Sequence, residues 1–344
     1  MHTEMHQQRI AFVTGGSGFV GKRLIEKLAG AGWTVRALAR SGNAADAVTA
    51  SGGTPVSGDV HDAVALRAGM AGSQVVFHVA ALFKLWGDSK DFDHINVGGT
   101  RAVVDAALAT ASVRKVVAVS AAAVVMGDPE PMLEIDEKAP LQRRSFAPYA
   151  LSKADAERIL LSANGSRPSF ETIALRPPMI WGAGMPTLDH MVDTVQQGAW
   201  QWVDKGAQAM STCHVDNLVH ALMLAADHGT GGAAYFVADA ETGTLKSVIG
   251  ALLQTRDVRA ADKSVSFNVA WTIAGLMGLA WRCLRLKGEP PLTRQMLRLI
   301  GKPFTISWDK ARRELGYEPQ RSWQDGIVQM RQYAVHDVVK SASR

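Results

Sequence analysis

The run Tyr149-Ala-Leu-Ser-Lys153 has a spacing that can do chemistry. Residues four apart share a helix face, so a helix here sets an ammonium beside a phenol. The cation favours the phenolate and draws the pKa of Tyr149 from about 10 toward working pH. A phenol tuned in this way is a general acid or base for the oxygen of a ketone or secondary alcohol. Taken alone the pattern is common, and its meaning depends on what precedes it.

Upstream, VTGGSGFVGKRL places Gly15, Gly18 and Gly21 three apart, after a β-branched run and at the start of a helical one. Gly15 permits a tight turn, Gly18 lets a pyrophosphate approach the backbone, and Gly21 lets helix and strand pack closely. The opening residues Phe19 and Val20 offer N–H groups to the anion. This is a dinucleotide-binding pattern, in which Lys153 could also bond the nicotinamide ribose. At the end of the next strand, Ala39 stands where a carboxylate would accept the ribose 2′-OH, and Arg40 follows it. A positive charge there favours a 2′-phosphate, so NADP is expected over NAD. Arg36 and Asn43 are weaker candidates for the same phosphate. Asp59 and Val60 of GDV are expected near the adenine. Ala80 and Ala81 are small enough to pass under the cofactor, and His78 reads as a core histidine.

The elements that must position these residues follow a βαβ rhythm. Strands are expected at IAFVTGG, TVRALAR, TPVSGDV, QVVFHVAAL, KVVAVSAAAVV and FETIALRPP, with helices between them. This alternation predicts an α/β fold, a Rossmann-type doubly wound parallel sheet. Beyond Pro178 the rhythm becomes irregular. Residues 1–177 are expected to form the NADP-binding domain, with 213–238 returning to it. Residues 178–344 are expected to form a smaller, mostly helical substrate domain. Asp216 reads as the N-cap of a helix.

Composition excludes some classes. The chain has 344 residues, 47% apolar and 20% charged, with a net charge of +5. That is ordinary globular material. Lys and Arg are scattered, so no nucleic-acid role is indicated. Cys213 and Cys283 give neither a disulfide framework nor metal-ligand spacing, which suits a reducing cytosol. The polar run Met1–Arg9 lacks the apolar core of a signal peptide. Val265 to Trp281 holds 17 positions without charge, marginal for a membrane span. Its apolar residues fall at helical spacing, so a helix packed on its own protein is favoured. Peripheral membrane contact through 265–286 is the second reading.

With TGGSGFVG, GDV, HVAA, INVGGTRAVVDAA, YALSK, LRPPMIWGAG and HVDNLVHA in one chain, the sequence resembles an extended short-chain dehydrogenase/reductase. The run GEPPLTRQMLRLIGKPFTISWDKARRELGYEP is most similar to the 3β-hydroxysteroid dehydrogenase/isomerase family. The resemblance spans Ile10 to about Ile327. It implies that Tyr149 and Lys153 are the catalytic pair, that Pro177 to Ile180 lie beside the nicotinamide, and that Asn96 opens a helix near the site. It also implies a homodimer through helices near 97–110 and 149–163. The family carries Ser or Thr where this chain has Ala122. If the strand continues, Ser120 faces the same side as Ala122 and could supply the hydroxyl. The implied reaction is hydride transfer between NAD(P) and a secondary alcohol or ketone of a large hydrophobic substrate, a 3β-hydroxysteroid or 3-ketosteroid or a long-chain 3-oxo acid. Lys84, Trp86, Ala122, Met126 and Trp181 are the expected substrate contacts. The alternatives are a nucleotide-sugar epimerase or dehydratase and a non-catalytic NADP-binding regulator.

Overall fold

The computed structural model describes residues 8–127, 129–145 and 147–342. Met1–Gln7, most of the polar N-terminal run, lie outside them. The first half holds β1 (Ile10–Thr14), β2 (Thr34–Ala39), β3 (Thr54–Ser57), β4 (Val75–His78), β5 (Lys115–Val119), β6 (Met132–Ile135) and β7 (Glu171–Arg176). The rest holds β8 (Met179–Trp181), β9 (Trp202–Val203), β10 (Ala209–His214), β11 (Ala234–Phe236), β12 (Thr242–Thr244), β13 (Ser264–Val265) and β14 (Phe304–Ile306). A parallel sheet runs in the order β11-β7-β5-β4-β1-β2-β3. Its central strands are continuous runs of Val, Phe and Ala because helices cover both faces; Phe12, Val13, Val76, Phe77, Val116 and Val117 are fully buried. Chain order reverses between β1 and β4. That reversal opens a crevice at the carboxyl ends of those two strands, where ligands of such sheets bind.

A smaller sheet, β12-β10-β14-β6 with β8 on β10, stands beside the first. The helix Val215–His228 buries Leu218, Val219, Leu222 and Ala225 with Leu24 and Leu28 of the helix Phe19–Gly30. Both β11 and this helix therefore belong with the large sheet, while β10 belongs to the smaller one. The N-cap of that helix is His214, not Asp216. Its imidazole accepts the Asp216 N–H at 3.1 Å, and the Asp216 carboxylate turns to Arg23 and Arg321.

One expected strand is corrected. KVVAVSAAAVV does not run as a strand to Val125. β5 ends at Val119, and Ala122–Val125 form a short 3-10 turn. The neighbouring β7 ends at Arg176 before Pro177 and Pro178, which have no N–H to continue a ladder. The Ala122 N–H instead closes on the Pro177 carbonyl at 2.8 Å.

Candidate active site

The glycine turn lies at the carboxyl end of β1. Gly15 has φ +72°, and a Cβ there would come within 2.7 Å of the Ala80 nitrogen. At Gly21 a Cβ would meet the Gly15 carbonyl at 2.1 Å. Any side chain at either position forces β1, β4 and the first helix apart. Gly18 caps the helix Phe19–Gly30 without a side-chain bond, and the first turn carries no acidic residue. The N–H groups of Phe19 and Val20 thus open toward an acceptor that the helix itself does not provide, as the pyrophosphate of a dinucleotide requires. The residues fit that group.

Other predicted cofactor residues divide. Arg40 is exposed just past β2 and makes no bond to another described residue. Arg36 turns away, its guanidinium donating to the Ala68 and Ala71 carbonyls and to Ser73 Oγ. Asp59 is exposed, and one carboxylate oxygen accepts the His61 N–H at 2.8 Å, which shapes the turn after β3. Val60 packs against Gly99. Ala80 closes over Gly15 with its N–H toward Thr14 Oγ1 at 3.4 Å, and Ala81 is exposed. His78 is bonded at both ring nitrogens, to Thr14 at 2.7 Å and Thr100 at 2.9 Å. Burial first, and the Lys153 cation second, push its pKa down to about 3. It is a neutral core group. Ile180 pairs with Cys213 in the β8–β10 ladder.

Tyr149 and Lys153 lie on the helix Pro148–Ser162, which crosses the carboxyl end of β5. Pro148 sits at its first position, where a missing N–H is harmless. Ala147 offers no side-chain cap, and the chain supplies one from far away: Gln295 Oε1 accepts the Tyr149 N–H at 3.0 Å. The same amide donates to the Lys84 carbonyl at 2.6 Å, and Thr293 Oγ1 donates to the Leu85 carbonyl at 2.9 Å. Gln295 therefore fixes the helix Pro148–Ser162 and the 82–87 loop together. Asn96 adds a second tie from a π-helical turn, Asp93–Gly98. It bonds both backbone groups of Leu82 and donates to Ser152 Oγ at 2.9 Å. Losing a cap of this kind costs about 0.5–2 kcal/mol. Gln295→Ala is expected to lower stability by about that amount in urea titration and to raise exchange of the Tyr149 amide.

The phenol and the ammonium are placed differently from expectation. Lys153 Nζ donates to the Val119 carbonyl at 2.8 Å. Burial pulls its pKa down to about 8, opposed by the negative charge of Glu157. Burial pushes the Tyr149 phenol up from its ordinary value, with no lowering from Lys153. Tyr149 is thus held as a proton donor. Phe83 of the 82–87 loop stands edge-on to its ring, centroids 4.9 Å apart.

Ser120 does not replace the absent hydroxyl. The alternation that would aim it at substrate fails because the strand stops at Val119. Its Oγ donates instead to Glu157 Oε2 at 2.5 Å. Glu157, one turn beyond Lys153, is clamped by Arg176 through contacts of 2.5, 3.0 and 3.1 Å. Both side chains are buried. The gap between His78, Thr100, Ser120, Lys153 and Glu157 is only about 10 Å³, at most one water, so this cluster is packed support and not a substrate pocket. Glu157, Arg176, Phe83 and Gln295 were not read from the sequence as site residues. The spacing Tyr149, Lys153, Glu157 on one helix face was the available signal for the first.

The expected substrate contacts divide as well. Trp181 is fully buried; its indole N–H donates to Asp239 at 2.6 Å, and its ring packs on His214 and Trp323. It is core, not lining. Ala122 and Met126 are buried in a cluster with Ala150, Phe236 and Phe304, against which Tyr149 packs. Lys84 is exposed, and Trp86 lies against Gly278 under the Arg282 guanidinium.

This arrangement has known counterparts. A model of the 3-beta hydroxysteroid dehydrogenase/isomerase family matches residues 12–265. The chain is 40% identical over 322 residues to a 4-hydroxy-2-methyl-3-oxo-4-farnesyl-3,4-dihydroquinoline-1-oxide ketoreductase of Stigmatella aurantiaca, covering 93% of this chain and 95% of that one. It is 34% identical to a 2-alkyl-3-oxoalkanoate reductase of Stenotrophomonas maltophilia, covering 93% and 97%. Among solved structures, a dTDP-glucose 4,6-dehydratase from Streptomyces venezuelae, described with NAD and TYD bound, superposes with a TM-score of 0.73 at 22% identity, covering 95% and 97%. That last likeness concerns the fold alone.

Proposed function

Since the chain belongs to the 3-beta hydroxysteroid dehydrogenase/isomerase family, we propose that it reduces a ketone on a large hydrophobic substrate with NADPH. That it is an oxidoreductase of CH–OH or keto groups and uses a nicotinamide cofactor follows from the family. The carrying observation for the rest is Tyr149: a half-buried phenol packed against the apolar cluster that holds Ala122 and Met126, with Phe83 edge-on to its ring. The Gly15–Gly21 turn would hold a dinucleotide whose nicotinamide would supply hydride to the carbonyl carbon. Tyr149 donates its proton to the oxygen as negative charge develops there. Lys153, anchored on Val119, holds positive charge nearby, and Asn96 and Gln295 keep the helix and loop in register. With Ala122 in place of a hydroxyl, the phenol is the one donor proposed for that oxygen.

The substrate class rests on the relatives named for a farnesylated 3-oxo ring and for 2-alkyl-3-oxo acids. A screen with prenylated cyclic ketones, 2-alkyl-3-oxo acids, 3-ketosteroids and UDP-sugars is expected to show turnover among the first three. Turnover of UDP-sugars alone would sink the reading. A homodimer through the outer faces of Gly99–Ala109 and Pro148–Ser162 belongs to the same proposal, tested by sedimentation.

The NADP preference rests on Arg40, with Ala39 leaving no carboxylate to repel a phosphate. A charge-assisted bond contributes about 1.5–3 kcal/mol. Arg40→Ala should therefore raise KM for NADPH by about 10- to 100-fold and leave KM for NADH nearly unchanged. Better turnover with NADH than NADPH in the wild type would overturn it.

A further inference from the structure

The Tyr149 phenol stands against an apolar wall. The described residues make no hydrogen bond to its oxygen, and the cluster it packs on holds Ala122, Met126, Ala150 and Phe236. The polar side chains around it are turned elsewhere. Ser120 Oγ donates to Glu157, Asn96 to Leu82 and Ser152, and Ser152 Oγ to the Tyr149 carbonyl at 2.9 Å. The Gln295 amide donates to Lys84, and Lys153 Nζ to Val119. The turn at Ala122 is itself held in place. The Ala122 N–H closes on Pro177, while Gln142 donates to the Val124 carbonyl from its backbone at 2.8 Å and to the Val125 carbonyl from its side chain at 3.1 Å. Ala122 is fully buried and brings no hydroxyl.

A ketone oxygen brought to the phenol therefore meets a single neutral side-chain donor. Negative charge gathers on that oxygen during hydride transfer, and loss of one donor from such a site costs about 10²–10³-fold in rate. We propose that the substrate supplies the second donor itself, as a hydroxyl on the carbon β to the ketone, so that the apolar wall at Ala122 selects hydroxyketones over plain ketones. A β-hydroxyl closes a six-membered ring onto the carbonyl oxygen and approaches a straight O–H···O line. An α-hydroxyl closes a smaller ring, with a bent and weaker bond. An ionised carboxylate in the same place would set a second negative charge beside the one that develops. The preference rests on the ketone reduction proposed above. In that reaction the carbonyl carbon accepts a hydride from a reduced nicotinamide, and the π pair moves to oxygen. That oxygen takes the Tyr149 proton, and water returns a proton to the phenolate. The substrate hydroxyl keeps its own proton, and the product is a diol.

The test compares a long-chain β-hydroxyketone, its methyl ether and the parent ketone of equal length, each with wild-type protein and NADPH. The ether keeps the inductive pull of the oxygen and removes only the donor. The hydroxyketone is expected to show a kcat about tenfold or more above both. Binding, followed by tryptophan fluorescence with NADP+ present, should differ by less than about threefold, because the donor acts on charge that develops only during transfer. Ala122→Ser should raise kcat for the ether and the parent ketone and so narrow the gap; the wild-type comparison decides the matter even where that variant does not fold. Equal kcat for the hydroxyketone and its ether would overturn the proposal. So would an ether that binds more weakly by the same factor as it reacts more slowly, since the hydroxyl then serves binding alone. Reduction of all three at one rate would remove the preference and leave the ketone reduction standing. Reduction of none would refute that reaction, and the preference with it.

Discussion

Tyr149→Phe is expected to lower ketone reduction by about 10²–10⁴-fold, the range for loss of a positioned general acid. Phenylalanine keeps the ring and its edge contact with Phe83, so folding and NADPH binding should persist. Fluorescence titration with NADPH and single-turnover reduction separate the two effects. Wild-type turnover by Tyr149→Phe would remove the phenol from the mechanism. Lys153 sets the pH dependence. With its pKa drawn down to about 8, the ammonium is lost as pH rises through that value, and turnover should fall on the alkaline side. Its effect on stability has the opposite sign. The folded pKa lies below the unfolded one, so between about 8 and about 10.4 the unfolded chain binds more protons, and the Lys153 contribution to stability rises with pH. The difference in urea midpoint between wild type and Lys153→Met across that window measures it.

Glu157→Gln is the second large effect. It removes one charge from a buried pair whose Arg176 already has Nη1 without a partner among the described residues. Breaking such a pair from one side costs about 3–5 kcal/mol, because the remaining charge is left uncompensated. The variant should lose about that much in urea titration. Glu157→Gln/Arg176→Met should recover a large part of the loss, because no lone guanidinium remains. Glu157 also supports the charge on Lys153. In Glu157→Gln the alkaline fall in turnover should therefore move to lower pH, a change that loss of packing alone would not produce. Equal stability of wild type and Glu157→Gln would mean that the clamp is not formed in solution.

What the sequence made legible was whatever depends on local periodicity. The strand, turn and helix around Gly15–Gly21 and the helix bearing Tyr149 and Lys153 could be read because each is specified by a few adjacent residues. The strand through Ser120 could not. Small and β-branched residues at 120–125 are compatible with a strand, and the stop comes from two prolines on a neighbour more than fifty residues away. Glu157 looks like a solvated helix carboxylate until β7 brings Arg176 against it. Gln295 looks like a solvated amide until it is found bonded to the backbone of Tyr149 and Lys84. Trp181 was misplaced for a related reason: an indole suits a substrate wall or a core equally, and only the bond to Asp239 decides.

The tie from Gln295 has a consequence for synthesis. The glycine turn, the helix Pro148–Ser162 and all seven strands of the large sheet are complete by Phe236. The cap of that helix and the anchor of its loop come from 293–295, more than fifty residues beyond the last strand of that sheet. A nascent chain stopped earlier carries Tyr149 and the Asn96 tie to Leu82 and Ser152, but neither of the Gln295 bonds that join the helix to the Lys84 backbone. The order of translation thereby withholds the finished candidate site until well after the large sheet exists.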